Sequence, residues 1–320
     1  MEFRTTVRPL DCRGMLSHSS PVMLLGSCFS DNIGERMRRS LFPVMVNPFG
    51  TLYNPESIKM VLERFLTGSF IDERELVSNG RLYHCFLCHS SLSSTDPHKV
   101  VDVVNSRIES AGNFLRRVKA VIVTLGTAWV YRLASTGDVV ANCHKFPLSH
   151  FTRSILTVDE ATAALTDIVD MLAAVDKDIK VIFTVSPIRH LADGAHGNQL
   201  SKATLLLAVD NVCRSCESVM YFPSYEIMMD DLRDYRFYAA DMVHPSDVAI
   251  DYIYDLFMQT YFSSGSVEAA MKCRRYWLRT QHRPLTDDTA GVEKFRMDTE
   301  RMRVDLTEQY PYLANVINLI

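Results

Sequence analysis

Residues 21–37 read PVMLLGSCFSDNIGERM, and the change of pattern inside this stretch decides the fold. Val22 to Leu25 is a short apolar run of the kind a fully buried parallel strand uses. It stops at Gly26, and from Ser30 the pattern is helical. Ser30 or Asp31 can cap, Ile33 and Met37 stand four apart, and Glu35 lies in the first turn. The turn between strand and helix carries Gly26, Ser27 and Cys28, which places two candidate nucleophiles side by side. A helix N-terminus points unpaired N–H groups and partial positive charge at whatever binds there, which suits an oxyanion. The same residues would also serve as a plain tight turn around a packed small side chain.

A second segment far downstream reads Asp241-Met-Val-His244-Pro245-Ser246. In an Asp-x-x-His turn the carboxylate can accept from the imidazole Nδ1–H, which fixes the tautomer and leaves Nε2 free as a base. Pro245 fits the first turn of a following helix over 247–262. Alone this spacing is weak. Paired with a strand–Gly–Ser–Cys–helix turn it points to a hydrolytic site.

Between these segments the chain alternates strands and helices. Strands are predicted at 22–25, 43–46, 120–125, 180–185 and 219–222, and helices at 55–67, 96–118, 158–175 and 198–216. Val100, Val103, Val104, Ile108 and Leu115 are spaced for one apolar face of the second of these helices. Asn79-Gly80 suggests a hairpin inserted within 70–92. Five such repeats indicate parallel βαβ units with helices on both faces. Ligands of such sheets bind beyond the carboxyl ends of the strands. That rule gathers Gly26–Cys28, Gly50, Gly126-Thr127, Arg189-His190 and the Asp241/His244 turn at one end. Residues 263–320 follow as a helical extension, with two helices joined near Pro284, that packs on the domain formed by 1–262.

The 320 residues suffice for a full core, and 22% charged with 47% hydrophobic residues is the balance of an ordinary globular protein. A net charge of -4 gives no case for nucleic acid. No apolar run approaches the roughly 18 residues of a membrane span. The start, MEFRTTVRPLDCRG, has no signal-peptide pattern, and the chain reads as cytoplasmic with reduced thiols. Of eight cysteines, Cys85/Cys88 and Cys213/Cys216 form C-x-x-C pairs. His84, Cys85, Cys88 and His89 offer a rival reading as a metal site, but buried thiols are the expectation and no metal is assigned.

GSCFS after a strand, GTAW at 126–129 and DMVHPS at 241–246 resemble the GSCFA family, a branch of the SGNH (GDSL-like) hydrolase superfamily. The resemblance implies a three-layer α/β/α flavodoxin-like sandwich, its five-stranded parallel sheet in order 2-1-3-4-5. It also implies hydrolysis or transfer of acyl esters, often on carbohydrates or lipids, without a cofactor. Laid over Gly-Asp-Ser-Phe/Leu of the superfamily, Gly-Ser-Cys-Phe places Cys28 at the nucleophile and Ser27 at the Asp; Ser27 stays open as the alternative. His244 is then the base and Asp241 its orienter. The superfamily takes oxyanion donors from a glycine after the second strand, matched by Gly50, and from an Asn in Gly-x-Asn-Asp after the third. This chain has Ala128 at the Asn position, and Asn142 is the nearest polar substitute. A catalytically silent binding module on the same fold is the alternative.

Tyr53, Asn54 and Thr127 are candidate lining residues. His144, Lys145, Arg189 and His190 fall on loops that the fold should bring to one rim. Such a rim favours an anionic substrate, because an Arg fork grips phosphate or carboxylate in bidentate fashion. Alternatively, Arg189 pairs with Asp193 or Asp241.

Overall fold

Gly26 and Thr124 face each other across the middle of the main sheet, and the layers build outward from that pair. The computed structural model describes residues 4–282 and 289–317. β1 (Val22–Gly26) runs into α1 (Cys28–Arg39), β2 (Val44–Val46) and α2 (Pro55–Thr67). The hairpin β3 (Leu76–Ser78) and β4 (Tyr83–Cys85) turns at Gly80, as expected, and leads to α3 (Pro97–Leu115) and β5 (Ala120–Leu125). Next come β6 (Trp129–Leu133), β7 (Val139–Val140) and β8 (Phe151–Ile155), then α4 (Val158–Val175) and β9 (Lys180–Val185). α5 (Gly194–Ser215), β10 (Val219–Tyr221) and the single turn α6 (Ser224–Glu226) precede α7 (Asp247–Tyr261), α8 (Ser264–Thr280) and α9 (Thr289–Gln309).

The main sheet has five parallel strands in the order β2-β1-β5-β9-β10. These labels depart from 2-1-3-4-5 because β3, β4 and β6 to β8 intervene in the chain. Counted within the sheet alone, the strands run second, first, third, fourth, fifth. Alternation along each strand sends side chains to opposite layers. Val22, Leu24, Ile122 and Ile182 meet Phe29, Ile33 and Met37 of α1 and Ile253 and Phe257 of α7. Met23, Leu25, Val121, Val123 and Phe183 meet Ile58, Ile108, Leu165 and Leu205 from α2 to α5. Each such side chain contributes about 1.5–3 kcal/mol on burial. The result is a three-layer α/β/α sandwich.

Four local expectations change. α1 begins at Cys28 with Ser27 as its N-cap, not at Ser30 or Asp31. Ser30 instead donates to Leu25 O (3.1 Å) and Thr124 Oγ1 (2.7 Å), tying the first turn to β1 and β5. Val103 is 42% exposed, since it lies roughly 100° around α3 from the centre of the apolar face. Pro245 precedes the N-cap of α7, which is Ser246. The antiparallel sheet β7-β6-β8, inserted between β5 and α4, was not anticipated.

Among the described residues after 262, none joins a sheet. Cys273, Tyr276, Leu306 and Leu313 pack around Leu41 behind α1. The join expected near Pro284 lies outside the described residues. No helix of the described residues is long and apolar enough to cross a membrane.

Candidate active site

Gly26 shapes the turn that carries Ser27 and Cys28, the two candidate nucleophiles. Its φ of +132° suits glycine, and a Cβ there would lie 2.1 Å from Thr124 O. Asn47 holds the turn from below: its Oδ1 accepts from Gly26 N–H (2.9 Å) and its Nδ2 donates to Asp31 Oδ1 (2.7 Å). Ser27 is 1% exposed, its Oγ accepts from Phe29 N–H (3.3 Å), and it does not line the cavity described below. Of the two candidates, only Cys28 faces that cavity. Burial and the Asp31 carboxylate push the Cys28 thiol up, while the N–H groups of Cys28 and Phe29 and the Lys202 ammonium pull it down. The balance keeps it a thiol, so attack requires a base.

The candidate base, His244, is held by the Asp241 turn. Asp241 Oδ1 accepts from the N–H groups of Val243 and His244, both at 2.9 Å, and Oδ2 lies 2.6 Å from His244 Nδ1. These bonds, the two backbone ones first, hold the Asp241 carboxyl down to about 2. An ionised carboxylate only accepts, so Nδ1 carries the proton and Nε2 is the free, basic nitrogen. Met242 adopts φ +58° to close the turn, and Arg189 N–H reaches Val243 O at 3.4 Å from the loop after β9. Arg36 of α1 bonds Asp251 (2.5 Å) and Asp247 (3.2 Å) of α7, tying the helix of Cys28 to the helix that follows His244.

Cys28 and His244 line one cavity of about 530 Å³, with Tyr53, Asn54, Thr127, Asn142, Arg189 and His190. No hydrogen bond joins Cys28 Sγ to His244 among the described residues, a looser arrangement than the contact of about 3 Å that a closed triad makes. A larger cavity, about 700 Å³ and lined by Tyr276, Arg279 and Phe295, carries neither cysteine nor serine.

Several expected roles do not survive. Gly50 N–H is spent on Asn47 O (2.8 Å), closing the 47–50 turn, and Gly50 does not line the cavity, so it is no oxyanion donor. His144 is buried: Nε2 bonds Cys85 O (2.8 Å), Nδ1 meets Ser90 Oγ (3.1 Å), and its ring stacks on His84. Burial takes it down to about 4, so it is a neutral strut between the hairpin and the 142–147 loop. Lys145 is exposed and outside the cavity. His190 does line it, but burial, then Lys202, lowers it to about 4, and it is neutral too. The four-cation rim therefore reduces to Arg189. Neither Asp193 nor Asp241 pairs with Arg189, since Asp193 bonds Arg153 (2.6 Å) and Asp241 holds His244.

The rival metal site is not assembled either. Cys85 and Cys88 are buried in the core, His84 bonds Ser93 Oγ (2.7 Å), and His89 caps its own turn. Among the described residues no group of three or more His, Cys, Asp or Glu could hold a metal ion.

Asn142 remains, with Oδ1 accepting from His144 N–H (2.8 Å) and its side chain in the cavity wall. Asn54 spends Oδ1 on the α2 cap, at 2.8 Å from Ser57 N, which leaves its amide nitrogen for the cavity. Ala128 is buried, and its N–H is taken by Ser201 Oγ (2.7 Å). Sequence reading missed the wall formed by Trp129, Tyr131 and Arg153. The Arg153 guanidinium lies 4.0 Å from the Trp129 ring centre and pairs with Asp193. The alternation Trp-Val-Tyr-Arg-Leu before Thr136-Gly137 was the available signal. Lys202 had none: it sits mid-helix beside Ser201.

Fold and site together define a parallel α/β/α protein with Cys28 and His244 lining one cavity beyond the carboxyl ends of the strands, and Asp241 bonded to His244. A sequence profile of the GSCFA family matches residues 21–257, more than half the chain, and the chain belongs to that family. No curated protein matches the sequence. Among solved structures the chain is similar to a carbohydrate esterase family 3 from Talaromyces cellulolyticus, at 10% identity and a TM-score of 0.37, over 74% of this chain and 94% of that one. It is also similar to a family two carbohydrate esterase from Clostridium thermocellum in complex with cellohexaose, at 12% identity and 0.36, over 82% of this chain and 66% of that one. Likenesses this distant assign no activity to this chain.

Proposed function

We propose that this protein is an acyl-ester hydrolase or acyltransferase in which Cys28 attacks, His244 Nε2 takes the thiol proton, and Asp241 orients His244. The observation that carries the reading is the meeting of two groups in one cavity. One is a thiol at the first position of a helix; the other is an imidazole whose Nδ1 is fixed by a carboxylate. The thiolate adds to the acyl carbonyl, and the oxyanion forms beside the Cys28 N–H. Asn54 and Asn142 are the side-chain donors placed to supplement it. Collapse expels the alcohol, which takes the proton from His244, and water or an acceptor hydroxyl then releases the acyl group.

Arg189 makes the cavity selective for a negatively charged substrate. Its only side-chain bond is to Met229 Sδ (3.0 Å), so the cavity keeps one cation without a carboxylate among the described residues. An anionic ester, or a carbohydrate ester whose hydroxyls meet Asn54, Thr127 and Asn142, fits this wall. Hydrolysis of p-nitrophenyl esters of graded chain length, anionic and neutral, tests the reading. Cys28→Ala and His244→Ala should abolish turnover, and Arg189→Ala should raise KM for the anionic ester more than for its neutral analogue. Turnover unchanged in Cys28→Ala would refute the nucleophile. The missing donor at Ala128 favours the second reading, a binding module that kept the cavity; such a protein would retain ligand and cleave no ester.

A further inference from the structure

Lys202 is 1% exposed, one of the largest fully buried side chains of the protein. It rises from α5 to the carboxyl ends of β5 and β9. There Nζ donates to Gly126 O (2.7 Å) and Ser186 O (2.8 Å). Among the described residues no carboxylate pairs with it; the Tyr225 ring, 5.8 Å from Nζ, is its other neighbour of note. An ammonium buried without a counter-ion is costly, and a strut between two carbonyls needs only neutral donors. Nζ thus lies at the ends of β5 and β9, and the Cys28 turn lies beyond the end of β1, the strand paired to β5; Arg189, His190 and Tyr225 are the other charged or titratable groups around it. Arg189 is a cation, the lowered His190 is neutral at pH 7, and burial first pushes the Tyr225 hydroxyl up. Of the four, Cys28 is the one that becomes an anion in the proposed reaction, when a base takes its proton.

We propose that the Lys202 ammonium is a positioning group that balances the negative charge formed at Cys28. The inference rests on Cys28 being the nucleophile. When His244 Nε2 removes the thiol proton, the thiolate forms within electrostatic reach of a desolvated ammonium that two carbonyls already fix, so little reorganisation accompanies charge formation. The coupling is reciprocal: a charge that favours the thiolate is itself favoured by it. Burial holds Lys202 down to about 7, so the ammonium depends on that partner.

Iodoacetamide tests this without any ester: the Cys28 thiolate forms an S–C bond and iodide leaves. The rate at Cys28, mapped by peptide mass spectrometry across pH, is compared in the wild type, Lys202→Gln and Lys202→Met. Gln keeps two N–H donors on a side chain one atom shorter and removes the charge, while Met removes both charge and donors. Both variants should move the inflection up by about one pH unit or more, with about a tenfold slower rate at pH 7. A wild-type profile in Lys202→Gln would overturn the proposal. Should both variants fail to fold, the Lys202 Nζ titration followed by NMR in the wild type and in Cys28→Ala decides. Lys202 should lose its proton at lower pH without the thiol, and identical titrations would overturn the coupling. A protein that alkylates as stated yet cleaves no ester would refute the proposed function and leave the coupling standing.

Discussion

Asn47 is the strut on which the Cys28 turn rests, and its removal has a calculable cost. The side chain is 5% exposed and makes two bonds in opposite directions, from Gly26 N–H and to the Asp31 carboxylate. The neutral bond is worth about 0.5–1.5 kcal/mol and the charged one about 1.5–3 kcal/mol. Asn47→Ala should therefore lose roughly 2–4.5 kcal/mol, the sum of the two bonds. The backbone adds to this, because φ is +42° there and Asn tolerates that region better than Ala. Asn47→Gly loses the same bonds but relieves the φ strain, so it should be the milder of the two by up to about 1 kcal/mol. Urea unfolding with an unchanged m-value reads both losses. A loss below about 0.5 kcal/mol in Asn47→Ala, within the range of an ordinary surface change, would refute the strut.

Asp241, held at about 2 against an unfolded value of about 3.9, stabilises the fold fully above the unfolded value and loses that contribution as pH falls through about 2. The stability gap between wild type and Asp241→Asn should therefore close in acid, and a gap independent of pH from 5 to 2 would contradict the turn. Lys202, at about 7 against about 10.4 unfolded, works the other way: between those values the unfolded chain binds more protons, so stability rises with pH. Urea titrations from pH 7 to 10 should show the rise in wild type and lose it in Lys202→Met. Gly50→Ala places a Cβ 2.2 Å from His89 Cβ at φ +83°, and strain of about 1–3 kcal/mol should lower Tm while leaving kcat of the folded protein intact. A fall in kcat without a fall in Tm would return Gly50 to the site.

The core of the fold was legible because its strands are short apolar runs and its helices carry apolar faces. Val22–Leu25 and Ala120–Leu125 could be little else. The Asp241/His244 turn was legible for a local reason: a carboxylate three residues before an imidazole reaches it through one turn. The four-cation rim was not, because position on a loop says nothing about burial. His144 turns inward on a φ of +46° to join the hairpin, and only the packed fold reveals that it is neutral. Gly50 failed for a similar reason. Its place after β2 fits a donor loop, yet the 47–50 turn consumes its N–H. Lys202 was invisible, because a lysine inside a helix reads as solvated until the ends of β5 and β9 close over it.

The central claim is that Cys28 carries the acyl group, and one measurement tests it most directly. The protein is mixed with p-nitrophenyl acetate, quenched in acid during turnover, and mapped by peptide mass spectrometry. An acetyl group on Cys28 is predicted in the wild type, absent in Cys28→Ala and slow to form in His244→Ala. Acetyl on Ser27 instead, or steady ester cleavage with Cys28 never modified, would contradict it.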